Sequence, residues 1–310
     1  MTIINAVGSL PGLGRLIVNT VLSAGNVTDR SKLYSQILPE AIRLTDNPTS
    51  NLDATLIAIR DSGLLLQTGD ALAAAPRVVD FCQGKLLTKD QFRRLLQISI
   101  FETNNEDPWE QTNDERLTSG AKDLNRALSW FLAQDVRRSL TWNKSGGGLD
   151  SAELLQNQQL PTAVTVRPFA NDVRWTTFTR WSVALGLAEP VLTGNGLHPN
   201  PTVAIRDVTL EMTPGLRNVE SYLGVITRQL PVIGGGSIRN SFLKVAGKDP
   251  DPDSSVGLID TSIAQALLSL EEENLVVMPP PTSDANGKSI GLGSTERQIT
   301  HIQIFEESVS

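Results

Sequence analysis

The chain has 310 residues, 40% of them hydrophobic and 20% charged, with 34 acidic against 27 basic side chains, a net charge of −7 and a pI near 5.0. That length calls for two or three domains, and the acidic balance excludes a protein that coats nucleic acid through clustered Lys and Arg, so any DNA contact has to be local. The single cysteine, Cys82, excludes an intrachain disulfide and suits a reducing cytoplasm, and the start Met1 to Val7 has neither a basic region nor a long apolar run, so no signal peptide or membrane span is expected.

Residues 11 to 24 predict a first helix, with Pro11 just inside its start and Leu13, Leu16, Ile17 and Val21 on one face. Gly25-Asn26 ends it. Thr28 or Asp29 can cap a second helix carrying Leu33, Ile37 and Leu38, which Pro39 closes. A third helix follows the polar loop 47 to 51, with Leu52, Leu56 and Ile59 at i, i+4 and i+7. Gly63 sits at its left-handed C-cap, and the apolar run Leu64-Leu-Leu66 reads as a strand. With the turn Thr68-Gly-Asp70 and the return Ala71 to Ala74, residues 1–75 fit a small winged helix.

Residues 76 to 101 read as helices, through Val78, Val79 and Phe81 and then Phe92, Leu95, Leu96 and Ile100. The acidic stretch 102 to 123 is expected to be a surface loop. A helix from about Leu124 to Leu140 completes a helical connector, 76–142, and the segment 143 to 159, with Gly146-Gly-Gly148, reads as a linker and internal boundary.

Beyond it, Phe178, Trp181 and Leu185 precede Gly186-Leu187, a third and weaker match to a helix-to-wing passage, within a middle winged-helix-like unit, 160–212. In that unit Thr202 to Leu210 is a helix or a strand, its Pro201 favouring the first and its β-branched content the second. The last unit, 213–310, starts with a helix through Val219, Tyr222, Leu223, Ile226 and Leu230. Ser237 can cap a second helix, and a third runs through Ile263, Leu267 and Leu270 to Asn274. A long wing follows, with Leu275 to Met278 and an alternating return strand from Gln298 to Phe305.

One stretch occurs twice. Leu52, Leu56, Ile59, Leu64, Leu65 and Leu66 match Ile263, Leu267, Leu270, Leu275, Val276 and Val277 at a constant offset of 211 residues, and Gly63 matches Asn274. The fold class is therefore mainly α with short β-hairpin wings, arranged as tandem winged-helix units joined by helical segments.

Catalytic groupings are not legible. His198 lies in a turn-like Gly-Leu-His-Pro-Asn, and His301 alternates with Ile302 on the return strand. Neither has the partners of a zinc or Ser-His site. Gly234-Gly-Gly-Ser237 and Gly291-Leu-Gly-Ser-Thr295 lack phosphate-loop spacing and read as turns. No catalytic, cofactor or metal residue is assigned, and a non-enzymatic protein is expected.

Binding surfaces are the open question. The third helix of a DNA-reading winged helix enters the major groove. Asn51 to Ser62 offers Arg60 but also Asp53 and Asp61, and Ile259 to Asn274 has no Lys or Arg. The run Glu271, Glu272, Glu273 is a candidate surface for a basic partner, with a solvated helix end as the plainer reading. The best nucleic-acid candidate is Arg167, Arg174, Trp175 and Arg180, where arginines interleave with an aromatic and several hydroxyls; the plainer reading makes the tryptophan core and the arginines ordinary surface charge.

The order of an N-terminal winged helix after Ile-Ile-Asn-Ala-Val, then Ala-Leu-Ser-Trp-Phe-Leu-Ala-Gln-Asp, then Phe-Thr-Arg-Trp-Ser-Val-Ala-Leu-Gly-Leu resembles the DpdG family, encoded beside systems that insert a deazapurine into bacterial DNA and restrict unmodified DNA. The resemblance implies an accessory, non-enzymatic role among the proteins of a defence or DNA-modification operon. It brings no functional residues. The reading is a cytoplasmic adaptor, with a sequence-specific DNA-binding regulator as the alternative. Double-stranded DNA and a second copy of the chain remain open as partners.

Overall fold

The computed structural model describes residues 2–43, 46–102, 107–110, 120–143, 150–191, 196–249, 257–281, 287–291 and 296–306. The fold is mainly helical with small sheets of two to four strands. It divides into two compact units: Met1–Asn125 with Pro168–Leu185, and Arg126–Arg167 with Gly186–Ser310. Among the described residues no helix is long and apolar enough to cross a membrane.

In the first unit the N-terminal residues are core. Ile3, Ile4 and Ala6 are buried, and the Ile4 N–H donates to Asp123 Oδ2 at 2.9 Å. Helix α1 (Pro11–Ser23) buries Ile17, Val18 and Val21, whereas Leu16, expected on that face, is exposed. It is the adjacent Val18 that completes the inward stripe. Strand β1 (Val27–Asp29) leads into α2 (Arg30–Ile37) and the short α3 (Glu40–Arg43); α4 (Ser50–Asp61) is followed by the hairpin β2 (Leu65–Thr68) and β3 (Ala71–Ala74). The sheet order is β1-β3-β2, all antiparallel. Helices α5 (Pro76–Cys82) and α6 (Lys89–Glu102) add Val78, Phe92, Leu95, Leu96 and Ile100 to the core. Most of 102 to 123 lies outside the described residues, but Trp109 is buried, so the expected surface loop has an anchor.

Helix α7 (Lys122–Phe131) is shorter than its apolar pattern predicts. Asp123 Oδ1 accepts from the Leu124 N–H at its start. At its end the Gln134 side-chain amide donates to the Trp130 carbonyl at 2.7 Å, and Asp135 accepts from the Arg137 N–H, so local side chains take over the backbone bonds that would extend the helix. Leu140 and Thr141 form strand β4 instead. The expected linker is also partly structured. Residues 144–149 lie outside the described ones, but β5 (Asp150–Ser151) pairs with β4, and α8 (Ala152–Gln159) follows, capped by Ser151 Oγ accepting from the Leu154 N–H.

Helix α9 (Asp172–Ala184) belongs to the first unit, where the Trp181 indole N–H donates to Ser9 Oγ at 2.9 Å and the Gln97 amide donates to the Leu185 carbonyl at 2.9 Å. In the second unit β6 (Ala188–Pro190) and β7 (Leu197–Pro199) complete the sheet β5-β4-β7-β6. Thr202 to Leu210 is a helix, α10, as Pro201 before its first residue favours. Strand β8 (Gly215–Asn218), not expected from the sequence, leads into α11 (Val219–Gln229). Next come α12 (Ser237–Val245), α13 (Thr261–Glu272), β9 (Val276–Val277), the hairpin β10 (Lys288–Gly291) and β11 (Glu296–Ile299), and finally β12 (His301–Ile304). Ser237 is the first helical residue of α12 and Gly236 takes the cap position. The expected single return strand is two, broken at Thr300: β11 pairs with β10, and β12 forms the centre of a sheet ordered β8-β12-β9.

The repeated stretch holds at the level of single hydrogen bonds. Helices α4 and α13 have corresponding ends at the same offset. Gly63 and Asn274 have φ of 77° and 59°, and the Leu64 N–H reaches the Ile59 carbonyl (3.1 Å) as the Leu275 N–H reaches that of Leu270 (3.0 Å). This is the 6→1 bond of a Schellman turn. The Arg30 N–H donates to the Asp70 carbonyl at 2.9 Å, and the Val219 N–H to that of Thr300 at 2.9 Å, so the helix after the first strand is tied to the start of the central strand in both sheets.

Candidate partner and nucleic-acid surfaces

Three helices follow the pattern that would present a binding surface. In α4, Asp53 accepts from the Arg30 guanidinium and from the Tyr34 hydroxyl. Burial works against its charge, but the bonds from Thr49, Tyr34 and Arg30 outweigh it and hold the carboxyl below the usual aspartate range. The Tyr34 hydroxyl is pushed up to about 12 by burial and by its bond to Asp53. Arg60 pairs with Asp61 at 3.2 Å and lies 3.4 Å from Gln67 Oε1. The charges of this helix are thus matched within the chain.

Helix α13 is covered. It packs against α10, β9 and β10. The inserted hairpin folds back on the residues preceding the helix, with the Ile259 N–H donating to the Ser289 carbonyl at 2.9 Å and the Ser289 N–H to that of Gly257 at 2.7 Å. Ile290 and Ile299 of the hairpin are each 1% exposed. Of the acidic run, Glu271 pairs with Arg297 of β11 and accepts from the Met278 N–H at 3.0 Å, and Glu273 lies 3.4 Å from Arg206 of α10. These cations offset the cost of acid at a helix C-terminus. Glu272 is exposed and, among the described residues, is the member of the three with no ion pair.

Trp175 is 2% exposed. Its ring packs at 5.0 Å from Phe169 and 5.6 Å from Phe178, so it belongs to the core and presents no face for stacking on a base. Arg180 is exposed on α9 in line with Val173, Thr176 and Val183, while Arg174 is half-buried near Asp123, whose carboxyl burial pushes above the usual range against the opposing pull of this arginine. Arg167 donates to the Leu160 carbonyl at 3.1 Å and belongs to the second unit, apart from the other two in the division of the chain.

Sequence spacing missed one pair. His198 Nε2 is 2.8 Å from Ser139 Oγ, which joins β7 to the start of β4. Among the described residues no carboxylate holds His198, and its cross-strand partner Glu189 accepts from Asn200 at 3.0 Å, so the pair links strands without a charge relay. Ser139 and His198 are 59 residues apart, and only the sheet register brings them together. His301 Nδ1 lies 3.0 Å from Thr300 Oγ1. Burial alone pushes the Cys82 thiol up, away from a reactive thiolate. Among the described residues no group of three or more His, Cys, Asp or Glu gathers as a metal site requires.

A concave slot lies between α11 and α13. It has a volume of about 250 Å³ and is walled by Leu223, Ile259 and Ile263, with Glu220, Asp260 and Lys288 at its polar margin. Asp260 caps α13 by accepting from the Ser262 N–H at 2.9 Å, and its other oxygen faces Arg239 at 3.8 Å.

No curated protein and no solved structure matches the chain. A family model described as DpdG-like matches residues 1–285, and the chain therefore belongs to the DpdG-like family.

Proposed function

We propose that the chain is a non-enzymatic adaptor built from winged-helix units, serving with other proteins of a bacterial DNA-modification or anti-phage defence assembly. Family membership supports the accessory role. The order helix, strand, helix, helix, strand, strand supports winged helices: α1–β1–α2–α4–β2–β3 and α10–β8–α11–α13–β9–β12 each close a sheet in the order first, third, second. On this reading the last winged helix begins at α10.

The observation that carries the adaptor role is the covering of α13. A winged helix that reads DNA keeps its third helix and wing free for groove and backbone, whereas here the wing's inserted hairpin is folded onto the start of that helix and Arg297 is drawn to Glu271. Surfaces closed in this way serve architecture, and the acidic remainder around Glu272 suits a basic protein partner. Co-expression with the products of neighbouring genes tests the reading. A stoichiometric complex is expected, and a chain that stays alone and changes no partner's activity would sink the proposal.

The alternative, direct DNA binding, is favoured by one observation, the exposed stripe Val173, Thr176, Arg180 and Val183 on α9. Apolar and hydroxyl contacts around one arginine suit a base edge. It predicts duplex binding that weakens with salt and falls several-fold in Arg174→Ala/Arg180→Ala. No binding at low salt, where screening is weakest, rejects it.

A further inference from the structure

We infer that the slot between α11 and α13 docks an extended segment of a partner protein, one that inserts a large apolar side chain and carries a basic residue beside it. The inference rests on the adaptor reading and adds the partner's chemistry.

The volume of about 250 Å³ suits a single large side chain, and Leu223, Ile259 and Ile263 supply an apolar floor for it. Gly224 lies within α11 at this slot, and a methyl group added there would meet nothing within 4 Å. A glycine inside a helix weakens it relative to alanine. Among the described residues nothing calls for its small size, while a second backbone approaching α11 would. Gly234, by contrast, is explained internally, since a side chain there would run into Asp260.

The polar margin selects a peptide. The Gly235 N–H has no acceptor among the described residues and suits a partner's carbonyl. Asp260 is engaged by Ser262 and Arg239, and Lys288 is itself engaged. Glu220 is exposed and has no side-chain partner among the described residues, so its carboxylate is open to a cation on the occupant. An extended segment offers the carbonyl, the apolar anchor and the cation together.

The test uses the full-length chain, titrated with the acetylated, amidated tetrapeptides Gly-Leu-Arg-Gly and Gly-Leu-Glu-Gly and followed by backbone amide NMR. The arginine peptide should shift the resonances of Gly235 and Ile263 at millimolar concentration, and the glutamate peptide should not. Glu220→Gln should weaken the arginine peptide about two- to fivefold, the worth of an exposed ion pair. Gly224→Leu should abolish binding while the thermal midpoint holds or rises, because the new side chain fills the slot and leaves the core alone. Absence of shifts, equal response to the two peptides, or undiminished binding by Gly224→Leu overturns the inference. If Gly224→Leu still assembles with the neighbouring gene products, the slot is wrong and the adaptor role stands; if the wild-type chain assembles with nothing, the adaptor role falls and the peptide titration still decides the slot.

Discussion

Replacing Asp260 by Asn separates two roles that meet at one side chain. Arg239 and Asp260 are 8% and 15% exposed, the guanidinium donates to the Ser129 carbonyl at 2.9 Å, and it lies 5.8 Å above the Phe242 ring. Asparagine keeps the cap on α13, because it too accepts from the Ser262 N–H, but it removes the carboxylate that faces the buried guanidinium. Removing one partner of a buried pair costs roughly 3–5 kcal/mol when contact is close. At 3.8 Å, with the Ser129 bond retained, the expected loss is nearer 2 kcal/mol. Asp260→Ala should cost about 1 kcal/mol more through the lost cap. Arg239→Met gives up the Ser129 hydrogen bond and the Phe242 ring contact, together about 2 kcal/mol, yet relieves the desolvated charge. The double variant Arg239→Met/Asp260→Asn should therefore be less unstable than the sum of the singles by about 1–2 kcal/mol. Hydrogen exchange of the α13 amides in increasing urea reads the change locally, which matters in a chain of two units. Additive single and double variants would refute a coupled pair, and equal losses for Asn and Ala would refute the capping role.

Three further outcomes follow from the geometry. Asn274→Gly should raise stability by about 0.5–1 kcal/mol in chemical denaturation, because φ of 59° is strained for a side chain and free for glycine. The alkaline absorbance titration should show almost no phenolate at pH 10.5, since both tyrosines are held up by burial, Tyr34 to about 12 and Tyr222 also upwards; a full tyrosine step near pH 10 would contradict the packing. Gly236→Ala should destabilise by more than about 2 kcal/mol, because its methyl meets the Pro231 backbone, whereas Gly14→Ala should cost only about 1 kcal/mol, because it meets the movable end of Ile59 and gains helix propensity. Comparable melting shifts for the two would show that backbone and side-chain obstacles yield alike.

Acid should weaken the first unit through Asp53. Its carboxyl titrates lower in the folded chain than in the unfolded one, so the stability it lends is present above the usual aspartate range near 3.8 and is lost as pH falls through the folded value. Asp53→Asn should remove that part of the acid dependence and leave stability near neutral pH lower. Parallel wild-type and variant curves below pH 4 would count against the Arg30–Asp53–Tyr34 cluster as their cause.

The amino-acid order by itself determined what is local. Apolar spacing, a residue able to take positive φ and a following apolar run define α4 and β2, and again α13 and β9, because helix period, Schellman turn and strand entry depend on near neighbours alone. Tertiary structure decided the rest. Strand β8 was hidden because Gly215-Leu-Arg-Asn218 has no strand signature and exists only as an edge paired to β12, residues 83 to 89 further along the chain. The end of α7 was set by side chains competing for its last carbonyls, which an apolar pattern does not register. At the candidate surfaces, Trp175 joined the core, the charge of Asp53 was matched from 23 residues away and that of Glu271 from 26, and the slot beside Gly224 arose from segments that meet only when α11 and α13 pack. Charge and apolar period are written along the chain, whereas which charges are spent internally and which surfaces stay open depends on distances that only packing fixes.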